Sequence, residues 1–190
     1  MIIPEEGSLL LVNKPKSWTS FDVVNKLRYL LKIKKIGHAG TLDPLASGLL
    51  LIGVGKYTKK LESLQGLDKT YEGIIEIGKT TPSFDLETPF DSSSDYMHVT
   101  PQQIAVAVEA LTGELDQIPP IYSAIKVNGQ RAYKSARKNE IIELKSRKIK
   151  VYKFEITRVH LPEIHFRVVC SKGTYIRSLA KDLGEQLGVG

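Results

Sequence analysis

The chain predicts an α+β fold on a largely antiparallel sheet. Strand-like alternation marks residues 70–78 and 164–171, while apolar residues recur at helical 3–4 spacing in 20–31, 100–111 and 176–187. These patterns are mixed without the strict βαβ alternation of a doubly wound sheet. Neither an internal repeat nor a domain linker interrupts them, and 190 residues suit one domain with a substantial core.

Each element follows from its residues. Residues 8–13 read as a short, largely buried strand. Residues 20–31 read as a helix with Phe21, Val24, Leu27 and Leu31 on one face and Thr19 or Ser20 as N-cap. Residues 48–54 form a buried strand pattern, and 56–64 a short basic helix. In 70–78, Tyr71, Gly73, Ile75 and Ile77 alternate with Glu72 and Glu76, broken on the outer face by Ile74. The polar stretch 79–96, with Pro82, Pro89 and Ser92-Ser93-Ser94, reads as loop. Thr100-Pro101-Gln102-Gln103 starts a helix, with a capping threonine, proline at the first helical position and glutamine at the third. Ile104, Val108 and Leu111 supply its buried stripe, and Gly113 ends it. A loop and short helix fill 117–140. Residues 148–159 and 164–171 read as strands, the second alternating Ile164, Phe166, Val168 and Cys170. Ile176, Leu179, Leu183 and Leu187 stripe a final helix.

The composition, 42% apolar and 25% charged, is that of a soluble globular protein. The longest apolar run, near 49–54, is too short to span a bilayer, and Met1-Ile2-Ile3-Pro4-Glu5-Glu6 lacks the pattern of a signal peptide. One cysteine rules out a disulfide framework and suits a reducing cytosol; Cys170 reads as a small buried residue. A cytoplasmic protein without membrane contact is expected. The net charge is +6, and residues 126–158 hold eleven Lys or Arg against three Asp or Glu, a local balance of +8. Tyr133, Tyr152 and Phe154 are interleaved with those charges, which points to a nucleic-acid face.

The most informative stretch is Gly37-His38-Ala39-Gly40-Thr41-Leu42-Asp43-Pro44-Leu45-Ala46-Ser47-Gly48-Leu49. It holds one carboxylate, one imidazole and three glycines, and Lys26, Arg28, Lys32, Lys34 and Lys35 precede it. Pro44 stiffens the chain and biases Asp43 toward an extended conformation. A lone acid behind a basic approach suggests a polyanionic substrate and a carboxylate that does chemistry on it. Taken alone, an aspartate before proline in a glycine-rich loop commonly just shapes a turn. No Gly-Lys-Ser/Thr phosphate cradle is present, and His98, His160, His165 and the one cysteine offer no zinc-site spacing. No metal and no cofactor is expected.

This stretch closely resembles the catalytic motif of the TruB family of tRNA pseudouridine synthases. Four further segments resemble family motifs, in family order: Leu11-Val12-Asn13-Lys14-Pro15 with Trp18-Thr19-Ser20, Asp68-Lys69-Thr70-Tyr71, Pro119-Pro120-Ile121-Tyr122-Ser123-Ala124-Ile125-Lys126, and Cys170-Ser171-Lys172-Gly173-Thr174-Tyr175-Ile176-Arg177. The resemblance implies a pseudouridine-synthase-like catalytic domain over residues 1–190. Its central sheet, mixed and largely antiparallel, would be flanked by helices, with an RNA-binding thumb inserted at about 119–140. It implies conversion of uridine to pseudouridine at position 55 in the T-loop of tRNA, with the T-arm stem-loop as partner and no obligate protein partner.

The same resemblance implies the roles. Asp43 attacks ribose C1′ or removes the 2′ proton, and both routes stay open. Tyr71 stacks on the target base and handles the proton at C5. Tyr175 packs beside the base, and Arg177 pairs with Asp43. His38 helps displace the target nucleotide and occupies the space it leaves. Lys14 supports the active-site loops or contacts the RNA. Tyr122, Lys126, Arg131, Tyr133 and Arg137 grip RNA from the thumb; Lys138-Asn139 stands where the family often has glycine, which asparagine can replace in the left-handed conformation. Family members continue past Leu187-Gly188-Val189-Gly190 into a further active-site segment, so a longer protein is expected.

Three rival readings are weaker. A catalytically silent RNA-binding or RNA-folding module needs no such set as Asp43, Tyr71, Tyr175 and Arg177. A guide-dependent synthase fits the long inserted thumb less well than a stand-alone enzyme. A glycosidase usually needs two carboxylates flanking one bond.

Overall fold

The computed structural model describes residue 4 and residues 6–123, 125–127, 130–132 and 144–190. Much of the expected thumb, including Tyr133 and Arg137, lies outside the described residues, as do the side chains of Lys126 and Arg131. The chain packs as two compact units, Met1–Leu67 and Asp68–Gly190.

In the first unit, β1 (Gly7–Lys14), β2 (Ile36–His38) and β3 (Gly48–Gly55) form an antiparallel sheet in the order β1–β3–β2. Leu10 and Val12 of β1 lie opposite Ile52 and Leu50 of β3, facing the core, and Leu11 points outward. β1 can start beside β3 only with glycine at position 7. Its φ is +93°, and a Cβ there would fall 2.0 Å from the Val54 carbonyl oxygen.

Helix α1 (Ser20–Leu31) begins at a capping box, in which Thr19 and Asp22 each bond the other's main-chain N–H. Val24, Leu27 and Leu31 of the predicted face pack into the core, and Phe21 does not. Val23 and Val24 enter the core with Ile36, Leu50, Ile52 and Val54, whereas Phe21 is 56% exposed. The Arg28 guanidinium covers the Phe21 ring at 5.5 Å, so the ring packs against a cation rather than the core. The basic helix predicted at 56–64 is a 3₁₀ turn over Lys56–Lys60 followed by α2 (Leu61–Gln65).

In the second unit, β4 (Lys69–Glu76), β7 (Gly113–Gln117), β10 (Arg147–His160) and β11 (Glu163–Cys170) form a sheet in the order β4–β11–β10–β7. Each of its pairings is antiparallel. Two short pairs, β5 (Lys79–Thr80) with β6 (Ser92–Ser93) and β8 (Lys126–Val127) with β9 (Gln130–Arg131), complete the described strands. Ile164, Phe166, Val168 and Cys170 of β11 are all buried, as their alternation predicts. Gly73 of β4 leaves room for the facing Phe166 ring, which would meet a Cβ there at 2.9 Å. Phe166 in turn packs edge-on against Phe154, with ring centroids 5.8 Å apart.

Helices α3 (Pro101–Ala110) and α4 (Ile176–Leu187) pack together. They bring Ile104, Ala107, Val108, Leu179, Leu183 and Leu187 into the same core as the sheet. The capping box of Thr100 and Gln103, with Pro101 at the first helical position, starts α3 as predicted. The α+β class, with antiparallel sheets and flanking helices, therefore stands. The strands divide between a three-stranded and a four-stranded sheet where one central sheet was expected.

Candidate active site

The Asp43 loop leaves the edge strand β2 and returns as β3. Gly40 and Gly48 bracket it at φ of +109° and +119°, in the region that favours glycine. Three ties hold it. Ser20, at the start of α1, accepts from the Leu42 N–H at 2.9 Å through Oγ. The Pro44 carbonyl accepts from the Ser17 N–H at 2.8 Å, and the Asp43 carbonyl from the Ala46 N–H at 3.1 Å. Asp43 itself is half-buried.

Lys14 lies beneath this loop, fully buried at the end of β1. Its Nζ donates to the carbonyls of Trp18 at 2.5 Å, Pro15 at 3.0 Å and Pro44 at 3.3 Å. A buried ammonium needs all its donors satisfied, and these three acceptors meet that need. Burial pushes the Lys14 pKa below the usual lysine value, and the nearby carboxylates of Asp43 and Asp22 oppose that shift. The bond to Pro44 ties Lys14 to the Asp43 loop. His38 donates from Nδ1 to the Gly40 carbonyl, which fixes the ring beside the loop. The same histidine lines a groove of about 570 Å³ with Phe21, Arg28, Thr58, Leu61 and Gln65.

In the second unit, Tyr71 stands opposite Val168 in the β4–β11 ladder, half-buried against the core. Tyr175 is the residue just before α4. Arg177, in the first turn of α4, is 12% exposed at its side chain. Its Nη1 donates to the Ser83 carbonyl and its Nη2 to the Tyr122 carbonyl, each at 3.0 Å. Its Nε faces Asp85 Oδ2 at 3.5 Å. Asp85 is held in turn, because its Oδ1 accepts from Ser83 Oγ at 2.6 Å and from the Glu87 N–H at 3.0 Å. Thr81 Oγ1 donates to the Asp85 carbonyl at 2.7 Å.

Residues 28–176 match the model of the TruB family pseudouridylate synthase (N terminal domain). The chain belongs to the TruB family. Proteins named tRNA pseudouridine synthase B are similar over nearly its whole length. The one from Flavobacterium johnsoniae is 56% identical over 97% of this chain and 84% of its own length. The one from Phocaeicola vulgatus is 50% identical over 98% of this chain and 82% of its own. Among solved structures, a Cbf5-Nop10-Gar1 complex contains a chain that is 30% identical with a TM-score of 0.74. An H/ACA RNP bound to a substrate RNA containing 2′-deoxyuridine contains one at 27% and 0.70. Each comparison covers 98% of this chain but less than half of the solved chain, 46% and 44% respectively. Pseudouridine synthases are isomerases, and this TruB-family chain is one by descent.

Within the TruB-family chain, Lys14, His38 and Asp43 belong to the first unit, and Tyr71, Tyr122, Tyr175 and Arg177 to the second. Four residues of the second unit were not singled out from the sequence. Asp85 and Ser83 lie in a stretch read simply as polar loop; a lone aspartate among hydroxyl residues between Pro82 and Pro89 was the available signal. Gln117 and Arg147 ended elements whose ends carried no motif.

Proposed function

We propose that this chain isomerises uridine to pseudouridine at position 55 in the T-loop of tRNA, acting on a flipped-out nucleotide in the cytoplasm without cofactor. The observation that carries the reading is the glycine-bracketed loop that presents one carboxylate, Asp43, over the buried ammonium of Lys14. Family membership and the named relatives support it.

The reaction breaks the bond from uracil N1 to ribose C1′ and forms one from C5 to C1′. The C5 proton is lost and N1 gains one, so no redox partner is required. Asp43 either attacks C1′, releasing the base as its anion, or removes the 2′ proton to give a glycal. Tyr71 stacks on the base and handles the C5 proton as it leaves. Tyr175 packs beside the base while it turns. Arg177, anchored by Asp85 and two carbonyls, pairs with Asp43 and fixes its direction. His38 fills the space that the extracted nucleotide leaves. Tyr122, Lys126, Arg131 and Arg137 hold the T-arm through phosphates and splayed bases.

Incubation with unmodified tRNA, followed by mapping of pseudouridine, tests this directly. Modification at position 55 is expected. Tight tRNA binding with no pseudouridine at that position would favour the RNA-binding module instead.

A further inference from the structure

Tyr175 is gripped at two points by residues that the family reading leaves without a role. Gln117, the last residue of β7, is 2% exposed. Its Oε1 accepts from the Tyr175 N–H at 2.8 Å, and its Nε2 donates to the Tyr175 carbonyl at 3.0 Å. One amide thus reproduces the paired bonds of a strand neighbour across 58 positions of sequence. Tyr175 needs an outside hold, because it has extended backbone geometry and α4 has no side-chain cap of its own.

The second point is the ring. Arg147 faces Gln117 directly in the β7–β10 ladder. Its guanidinium carbon lies 5.7 Å from the centre of the Tyr175 ring. Arg147 Nε is buried and has no hydrogen-bond partner among the described residues, so the aromatic face is an important part of its surroundings. A planar cation over a phenol ring restricts its tilt and leaves the opposite face for a flat base.

We propose that Gln117 and Arg147 form a two-point clamp that fixes Tyr175, in main chain and ring, for its place beside the uracil. Both are positioning residues, and the proposal rests on the reading of Tyr175 given above. The clamp has a local purpose. Ser178 Oγ, in the first turn of α4, separately donates to the Ile118 carbonyl at 2.8 Å. That bond ties α4 to the exit of β7 without Gln117, so loosening the clamp frees the ring while the helix stays seated.

The test compares Arg147→Met and Gln117→Met with the parent protein and repeats each change in a Tyr175→Leu background. Single-turnover rates at saturating unmodified tRNA should fall about tenfold to a hundredfold for each single variant. The Kd for tRNA should hold within about twofold, and neither change should lower the rate further once Tyr175 is leucine. With 3-fluorotyrosine placed at position 175, the fluorine resonance should move in Arg147→Met. If Arg147→Met fails to fold, Arg147→Lys, which keeps the charge and loses the plane, should show the same rate loss and resonance shift. Weaker tRNA binding with an intact saturated rate would make Arg147 a phosphate contact and overturn the clamp. So would effects that multiply independently of Tyr175. A Tyr175→Leu protein at the parental rate would instead overturn the reading of Tyr175, and the clamp's purpose with it. An impaired Tyr175→Leu beside an unimpaired Arg147→Met overturns the clamp alone.

Discussion

Replacing Asp43 with asparagine keeps the side chain's shape and removes its charge. Single-turnover formation of pseudouridine should then fall by about 10²–10⁴-fold or more, with tRNA affinity nearly unchanged. An Asp43→Asn protein near the parental rate would remove Asp43 from the chemistry. Arg177 meets a different demand, because its fork reaches two carbonyls and faces a carboxylate at once. Lysine offers a point charge on a flexible stem and cannot keep all three. Arg177→Lys should therefore cut the saturated rate by at least about tenfold while the tRNA Kd changes little, as parallel kinetic and binding titrations would show. Asp43 and Arg177 were legible because they sit in motifs. Asp85 and Ser83 were not, since a short polar stretch between prolines has no periodicity to show that Ser83 is buried and holds Asp85.

The long elements were legible where burial forces a period. β11 alternates cleanly because its inward residues all enter one core, and α4 shows its stripe because Leu179, Leu183 and Leu187 do the same. β7 was missed for a physical reason. It is five residues long, and of its three inward positions one is Gly113 and another is Gln117, whose amide is committed to Tyr175. In α1, Phe21 follows the helical period yet stays outside, because Arg28 offers its ring a surface partner. Within α4, burial raises the Asp182 pKa above the usual 3.8; the Lys181 ammonium opposes this and Glu185 adds to it. Between 3.8 and the raised value the folded state holds a proton that the unfolded chain has lost, so stability falls as pH rises through that window and stays reduced above it. Asp182→Asn should therefore unfold at higher urea than the parent at pH 7, by a margin kept small by partial exposure. The gain should vanish below the unfolded carboxylate range. A variant no more stable than the parent at pH 7 would mean that the neighbouring charges offset the burial.

Over the whole chain the charge is uneven: a net +6 contains a segment, 126–158, that alone carries +8. RNA affinity should fall steeply with salt, because each neutralised phosphate releases counterions. Neutralising Lys126, Arg131 and Arg137 together should flatten the log–log salt slope by about 2–3. An unchanged slope would place the RNA elsewhere. Burial of Lys14 has a separate consequence, for chemical labelling. An amine locked onto three carbonyls with no exposed surface cannot meet an acylating reagent while the first unit stays shut. Under native conditions Lys14 should be the last of the described lysines to be acetylated by an activated ester, at a rate scaled by the small fraction of molecules open there. Mass spectrometry of timed digests would read that rate, and urea too dilute to unfold the protein should raise it. Lys14 would then serve as a built-in gauge of how often the floor beneath Asp43 comes apart.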